Sequence, residues 1–205
     1  MAHAMPTTNK ALERFYRWNA PIYDLTRWVI LRGRRLAVDA LRLSPADRVL
    51  EIGCGTGLQL SLLHEKVGPE GFIVGLDLSE PMLRRAARKL PGQLALVRAD
   101  AARLPLAGTF DAVLMAYSLT VIPEWRAAIE QACARLVPGG RVVVLDFAPP
   151  RPHRLAPLHR ILNRYLSWNH VETDRDFAGV LKSCTRSVEP IDVPHAYVTV
   201  LRGTK

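Results

Sequence analysis

The sequence predicts an α/β fold: a mainly parallel sheet with helices on both faces and an antiparallel last strand. Three observations predict it. Short apolar runs alternate with helical patterns from Arg48 to Phe147. The first run ends in a glycine cluster, Gly53-Cys54-Gly55-Thr56-Gly57. The second and third end in acidic residues, Asp77 and Asp100. Apolar runs of this length read as buried strands, and strand–helix alternation makes βαβ units.

Residues 10–43 read as two helical pieces, with Pro21 interrupting the first and suiting the first turn of the second. Strands are expected at 49–52, 72–76, 94–97, 110–116 and 141–147. Helices are expected at 58–67, at 80–90 with Ser79 as its N-cap, and at 125–136. The last is stopped by Pro138, Gly139 and Gly140. Beyond Pro150 a basic, aromatic helix over 155–168 and a short helix near 174–183 follow. Strands at 187–193 and 196–201, parted by Pro194-His195, close the sheet as an antiparallel pair. The expected organisation is one domain over 1–205. It comprises a helical lid or membrane-contact segment (1–47), a core (48–148) and a closing segment (149–205).

The chain has 205 residues, 49% hydrophobic and 23% charged, which excludes disorder as the main state. It carries 28 Lys+Arg against 19 Asp+Glu, a formal net charge of +9. Residues 49–148 hold equal numbers of each sign, so the excess lies on the two flanks. Basic flanks attract phosphate, in a nucleic acid or an anionic membrane surface; a solvated surface with no partner is the plainer alternative. No apolar stretch reaches the roughly 20 residues of a spanning helix. With no apolar signal core at the N-terminus, a cytoplasmic protein is expected. Cys54, Cys133 and Cys184 fit neither a disulfide framework nor a CxxC zinc site.

The glycine cluster leaves a strand and opens a helix, where an open α/β sheet binds its ligand. Its G-x-G-x-G spacing is neither the G-x-G-x-x-G of a dinucleotide site nor a triphosphate loop, since no Lys follows. Asp77 stands 20 residues after Gly57, where an acidic side chain can accept from both hydroxyls of a ribose. Asp100 could accept the exocyclic amine of adenine, and the Ala101 backbone N–H could serve a ring nitrogen.

Residues 48–148 resemble the core of S-adenosylmethionine-dependent methyltransferases with the Rossmann-like seven-strand fold. The matching stretches are VLEIGCGTG (49–57), VGLDLSEPM (74–82), RADAARLPL (98–106), FDAVLMAYSL (110–119) and LVPGGRVVVLDF (136–147). The resemblance implies S-adenosylmethionine as cofactor, with S-adenosylhomocysteine as product. It lays the backbone of Gly53, Cys54, Gly55, Thr56 and Gly57 against the methionine part. It gives Glu51 the loop and the amino group, Asp77 the ribose, Leu78 and Met82 the adenine faces, and Asp100 and Ala101 the adenine edge. The Ala116 carbonyl faces the amino group.

The acceptor must be read elsewhere. After the fourth strand the chain has Ala116-Tyr117-Ser118-Leu119 in place of the [ND]-P-P-[YF] of N6-adenine and glutamine methyltransferases. With no RNA-binding motif present, nucleic acid is not the expected partner. No acidic or histidine set has convincing metal spacing. The flanks resemble bacterial lipid N-methyltransferases of the phosphatidylethanolamine and diacylglyceryl-homoserine types. The stretches are Phe15-Tyr16-Arg17-Trp18, Ile22 to Trp28, Gly33-Arg34-Arg35, Ser118 to Trp125, Asp146-Phe147 and Trp168-Asn169-His170-Val171. Quinone C-methyltransferases share a Tyr-Asp pair before the core, and by that pattern Tyr23 touches the cofactor's carboxylate. Trp28 to Arg35 and the Arg-studded 155–168 stretch suit a membrane interface. The expectation is therefore an N-methyltransferase of a lipid amine head group, peripheral at the inner membrane surface. A soluble enzyme methylating a quinone ring carbon or a small amine is the alternative. Tyr117 and His170 are the candidates for orienting the amine or accepting its proton.

Overall fold

The computed structural model describes residues 33–89, 94–148, 172–193 and 197–205. Of the two helical pieces expected over 10–43, residues 10–32 lie outside the described residues, as do the expected helix over 155–168, Tyr23, His170 and the Pro194-His195 turn.

The apolar runs form β1 (Arg48–Ile52), β2 (Phe72–Asp77), β3 (Leu94–Arg98), β4 (Phe110–Ala116) and β5 (Leu136–Phe147). All five run parallel, joined by β6 (Ser187–Ile191) and β7 (Val198–Thr204) in one sheet of order β3-β2-β1-β4-β5-β7-β6. β7 is antiparallel to both its neighbours, so it alone reverses the sheet's direction. This is the seven-strand arrangement expected from the strand–helix alternation.

Helices cover both faces because parallel strands are apolar on both sides. One core layer holds α1 (Arg34–Ala40), α2 (Leu60–Val67) and α3 (Glu80–Lys89), through Val38, Leu60, Leu63 and Ala86. The other holds α4 (Trp125–Ala134) and α5 (Phe177–Cys184), through Ile129, Cys133, Phe177 and Leu181. Strand order reverses between β1 and β4: β2 and β3 continue to one side, β5 to the other. The crevice outside the carboxyl ends of β1 and β4 is thus the switch point at which such sheets take a ligand.

Three local expectations are corrected. The helix expected over 125–136 ends at Ala134, and β5 begins at Leu136 rather than 141. Pro138-Gly139-Gly140 lies within the strand as an irregularity, with Leu136 facing Phe110 and Arg141 facing Ala112. Gly139 takes φ +78° there, and its amide and the Gly140 carbonyl bond the Lys205 carbonyl and amide, so pairing with Lys205 recruits the loop into the strand. Ser79 does not cap α3 with its side chain: its hydroxyl is buried with no hydrogen-bond partner among the described residues, and its carbonyl accepts from the Met82 and Leu83 amides. Its own amide is held by Asp77 at 2.8 Å, which fixes Ser79 from the other side. Apart from these corrections of the helix end, the strand start and the Ser79 cap, Cys133 and Cys184, 51 residues apart, place their free thiols 2.7 Å from one another between α4 and α5.

Candidate functional site

β1 ends in the glycine loop, and the loop is anchored from behind. The Gly53 and Cys54 amides donate to the Leu76 carbonyl at 2.7 and 3.0 Å, and the Gly57 amide to the Cys54 carbonyl at 2.9 Å. Gly53, Gly55 and Gly57 all take left-handed φ, +72°, +55° and +77°, which side chains resist. At Gly53 a Cβ would lie 2.4 Å from the Ser118 Cβ. At Gly55 it would meet nothing within 4 Å, so this glycine presents bare backbone to open space. Cys54 and Thr56 are buried, and burial raises the Cys54 thiol well above its ordinary range. Cys54 offers a ligand only backbone.

The acidic residues divide by environment. Glu51 is fully buried, and among the described residues neither carboxyl oxygen has a hydrogen-bond partner. Burial pushes it up to about 8, against the opposing Arg34 charge, with Asp77 adding to the rise. Asp77 accepts the Gly55 amide on Oδ2 and the Ser79 amide on Oδ1, both at 2.8 Å. Burial raises it, and the Ser79, Gly55 and Leu78 backbone bonds resist that rise. Asp100 accepts the Ala102 amide at 3.0 Å and pairs with Arg103 at 3.3 Å. Ala101 and Met82 are buried and Leu78 is half-buried. The register sets Ile52, Leu76 and Met115 side by side and Asp77 beside Arg98. The glycine loop, Asp77 and Asp100 therefore follow the ends of β1, β2 and β3 along one edge of the sheet.

The far wall follows β4. Ala116 is buried, and Tyr117 turns the chain at φ +55°, its amide donating to the Leu145 carbonyl at 2.7 Å. The Tyr117 ring packs on Phe147 with centroids 5.1 Å apart, and the Arg34 guanidinium lies 5.8 Å from its centre. Burial raises the Tyr117 phenol far above its ordinary value, so the hydroxyl keeps its proton. The Ser118 hydroxyl donates to the Ile52 carbonyl at 3.1 Å, tying this wall to the glycine loop. Thr120 holds the fully buried Asp146 through its hydroxyl, at 2.7 Å, and its amide, at 3.1 Å.

Arg34, Thr120 and Asp146 were not singled out as site residues by sequence reasoning. Asp146 had a signal: it is the one charged residue in an otherwise apolar run after Arg141. In sequence Arg34 belongs to a basic cluster expected to face a membrane, and the structure corrects that expectation. Its Nε is buried and its charge acts on Glu51 and Tyr117, while Arg35 is exposed. Burial without compensation would be costly for Glu51, and Arg34 is the cation that faces it.

Both features fit S-adenosylmethionine: a buried carboxyl without a partner suits an ammonium, and the bare backbone at Gly55 suits close approach of a ligand. The comparisons agree. A methyltransferase-domain family profile matches residues 49–140. A demethylmenaquinone methyltransferase of Thermus thermophilus is 33% identical over 187 residues, covering 86% of this chain and 84% of that protein. A ubiquinone/menaquinone biosynthesis C-methyltransferase of Syntrophotalea carbinolica is 36% identical over 156 residues, 72% of this chain and 65% of that protein. A 2-phytyl-1,4-naphtoquinone methyltransferase of Synechococcus elongatus is 34% identical over 195 residues, 89% and 79% of the two. A magnesium protoporphyrin IX methyltransferase from Synechocystis, solved with bound S-adenosylhomocysteine, shares the fold at TM-score 0.67 and 16% identity, covering 97% of this chain and all (100%) of that one.

The chain belongs to the class I S-adenosylmethionine-dependent methyltransferases, and S-adenosylmethionine is its cofactor. The expected lipid head-group N-methyltransferase is overturned: the relatives at 33–36% identity are quinone methyltransferases, so the alternative reading is the one they match. The phospholipid assignment drops with it. The physical reason is that basic, aromatic flanks do not encode an amine: they suit any apolar acceptor held at a surface. Among the described residues, no helix is long and apolar enough to cross a membrane, and no group of three or more His, Cys, Asp or Glu could hold a metal ion.

Proposed function

We propose that this chain methylates a ring carbon of a quinone-type acceptor in its reduced, quinol form. The observation that carries the reading is the 33% identity over 187 residues to a demethylmenaquinone methyltransferase. When bound, S-adenosylmethionine supplies a methyl group already activated on a sulfonium. The protein's share is then orientation, electrostatics and exclusion of water.

Each residue has a part in that share. Glu51 takes the cofactor's ammonium, joined by the Ala116 carbonyl, and Asp77 takes the ribose hydroxyls while keeping the glycine loop in place. The backbone of residues 53–57 lies along the methionine part. Asp100 and the Ala101 amide read the adenine edge, between Leu78 and Met82. Tyr23, outside the described residues, takes the cofactor's carboxylate. Tyr117 lines the acceptor side as a hydrogen-bond donor rather than a base, since burial keeps its proton on the phenol oxygen. Electron donation from a quinol hydroxyl as it gives up its proton makes the ortho ring carbon nucleophilic; the C–CH3 bond forms as the S–CH3 bond breaks, S-adenosylhomocysteine leaves, and loss of the ring C–H proton restores the aromatic quinol. Tyr117 and His170 are the groups proposed to orient that hydroxyl. A quinone with a phytyl-like tail is apolar enough to reside in a bilayer, and the basic flanks suit recruitment to its surface.

The test is methyl transfer from S-adenosylmethionine into a reduced demethylnaphthoquinone, compared with phosphatidylethanolamine vesicles and resolved by mass. Methylated naphthoquinol and unchanged phosphatidylethanolamine support the reading. The reverse pattern refutes it.

A further inference from the structure

The wall after β4 is held from a distant part of the chain. Residues 117–122 wind as one tight turn, in which the Val121 and Ile122 amides donate to the Ser118 carbonyl. That leaves the Leu119 and Ile122 carbonyls facing outward from the turn. Both accept from the same nitrogen, Nη1 of Arg175, the Ile122 bond at 2.6 Å. The other side of the guanidinium is bound to Glu172, through Nε at 3.1 Å and Nη2 at 3.0 Å. The Trp125 ring lies 5.8 Å away. The Arg175 side chain is 8% exposed, so its charge is buried at the cost of desolvation and returns that cost only while these acceptors stay in place. The Glu172 amide also reaches the Thr120 carbonyl, at 3.4 Å. None of these contacts involves the glycine loop, Asp77 or Asp100.

We propose that Arg175 is a positioning residue that fixes the acceptor-side wall, residues 117–122, and thereby sets acceptor affinity independently of the cofactor. Tyr117 and Thr120 ride on this turn. The turn is tethered on one side to Ile52 and Asp146 and on the other to Arg175, 53 to 56 residues further along the chain. Losing Arg175 leaves two carbonyls and Glu172 without their cation, so the turn loosens at its acceptor side while its Ser118 and Asp146 tethers persist. The inference rests on the reading that the acceptor docks against this wall.

The experiment compares wild type, Arg175→Ala, Arg175→Lys and Asp176→Ala. Asp176 caps α5 through the Gly179 amide and, among the described residues, makes no hydrogen bond to residues 117–122, so it controls for simple loss of α5 stability. Backbone hydrogen exchange at residues 119–122 should quicken about tenfold in Arg175→Ala, because a lost charged hydrogen bond is worth about that factor. The Kd for S-adenosylhomocysteine should stay within about twofold. With 2-prenyl-1,4-naphthoquinol as acceptor, KM should rise about tenfold, with most of the loss recovered in Arg175→Lys and none seen in Asp176→Ala. Unchanged exchange in Arg175→Ala, or a parallel loss of S-adenosylhomocysteine affinity, would overturn the proposal. Failure of the wild type to methylate the naphthoquinol would refute the proposed acceptor instead, and the exchange and binding comparisons would still decide the role of Arg175. Should Arg175→Ala not fold, Arg175→Gln carries the same comparison.

Discussion

The Asp77 carboxylate accepts the Gly55 amide at 2.8 Å, so the end of β2 holds the tip of the glycine loop that follows β1. One carboxylate oxygen is committed to the loop and the other to the Ser79 amide. A ribose would share an already ordered anion. Replacing Asp77 by Ala removes both the anion and the loop's anchor. Loss of a charged hydrogen bond costs about 1.5–3 kcal/mol, so S-adenosylhomocysteine affinity should fall at least about tenfold by calorimetry. Unaltered affinity would show that the end of β2 does not carry the ribose.

The role proposed for Glu51 would link cofactor binding to pH. Its folded-state value is raised from 4.5 to about 8 by burial. The neutral carboxyl therefore contributes stability that is fully present below pH 4.5 and is lost as pH rises through about 8. Each pH unit of that window is worth about 1.4 kcal/mol. The cofactor-free protein should lose Tm between pH 5 and about 9, and Glu51→Gln should flatten that loss while weakening S-adenosylhomocysteine binding. An ammonium arriving beside Glu51 favours its ionised form, so binding at pH 7 should release a proton. Calorimetry in buffers of different ionisation enthalpy reads that directly, and zero proton release would sink the assignment.

Gly53 and Gly55 should fail in different ways when changed to Ala. Both residues have left-handed φ, a strain of about 1–2 kcal/mol for a side chain. Only at Gly53 does the new Cβ also collide with Ser118, at 2.4 Å. Gly53→Ala should unfold at clearly lower denaturant than Gly55→Ala. Gly55→Ala should keep most of its stability but bind cofactor poorly, because the methyl group projects into open space. Equal denaturation midpoints would contradict the packing seen at Gly53.

Thr120→Val removes the hydroxyl that donates to Asp146 at 2.7 Å. Burial raises Asp146 to about 6, and its hydrogen bonds, with Thr120 Oγ1 foremost, oppose that rise. The charged form needs the hydroxyl most. The variant should be destabilised by about 1.5–3 kcal/mol at pH 8 and by less at pH 5. Denaturant titrations at the two pH values make the comparison, and equal losses would remove Asp146 as the cause.

Tyr117→Phe and His170→Ala should each lower turnover while leaving S-adenosylhomocysteine affinity intact. In Tyr117→Phe the ring contact with Phe147 is kept, so Tm should change by less than about 1 kcal/mol in equivalent stability. Full turnover in both variants would leave the acceptor oriented by other groups.

The strand–helix alternation and the glycine spacing made β1 to β5 legible, since apolar runs and turn residues are local signals. Asp77 and Asp100 were legible because strand ends mark the crevice. The start of β5 was not: Pro138-Gly139-Gly140 reads locally as a stop, and only pairing with Lys205 makes it part of the strand. Arg34 illustrates the same limit. In sequence it belongs to a basic cluster, and only folding shows that it faces Glu51 rather than a membrane. Arg175 had no signal at all, because its acceptors are backbone carbonyls more than 50 residues away. The acceptor was misread for a related cause. Basic, aromatic flanks describe a surface, whereas quinone and amine differ in the groups that line a pocket assembled from several strand ends.

The most direct measurement is the position of the transferred methyl group. The protein is incubated with reduced demethylmenaquinone and S-adenosylmethionine carrying an isotope-labelled methyl, and the product is read by NMR. Expected is a single labelled methyl bonded to a ring carbon. Label on oxygen or nitrogen, or none in the naphthoquinol from protein that binds S-adenosylhomocysteine, would contradict quinone C-methylation.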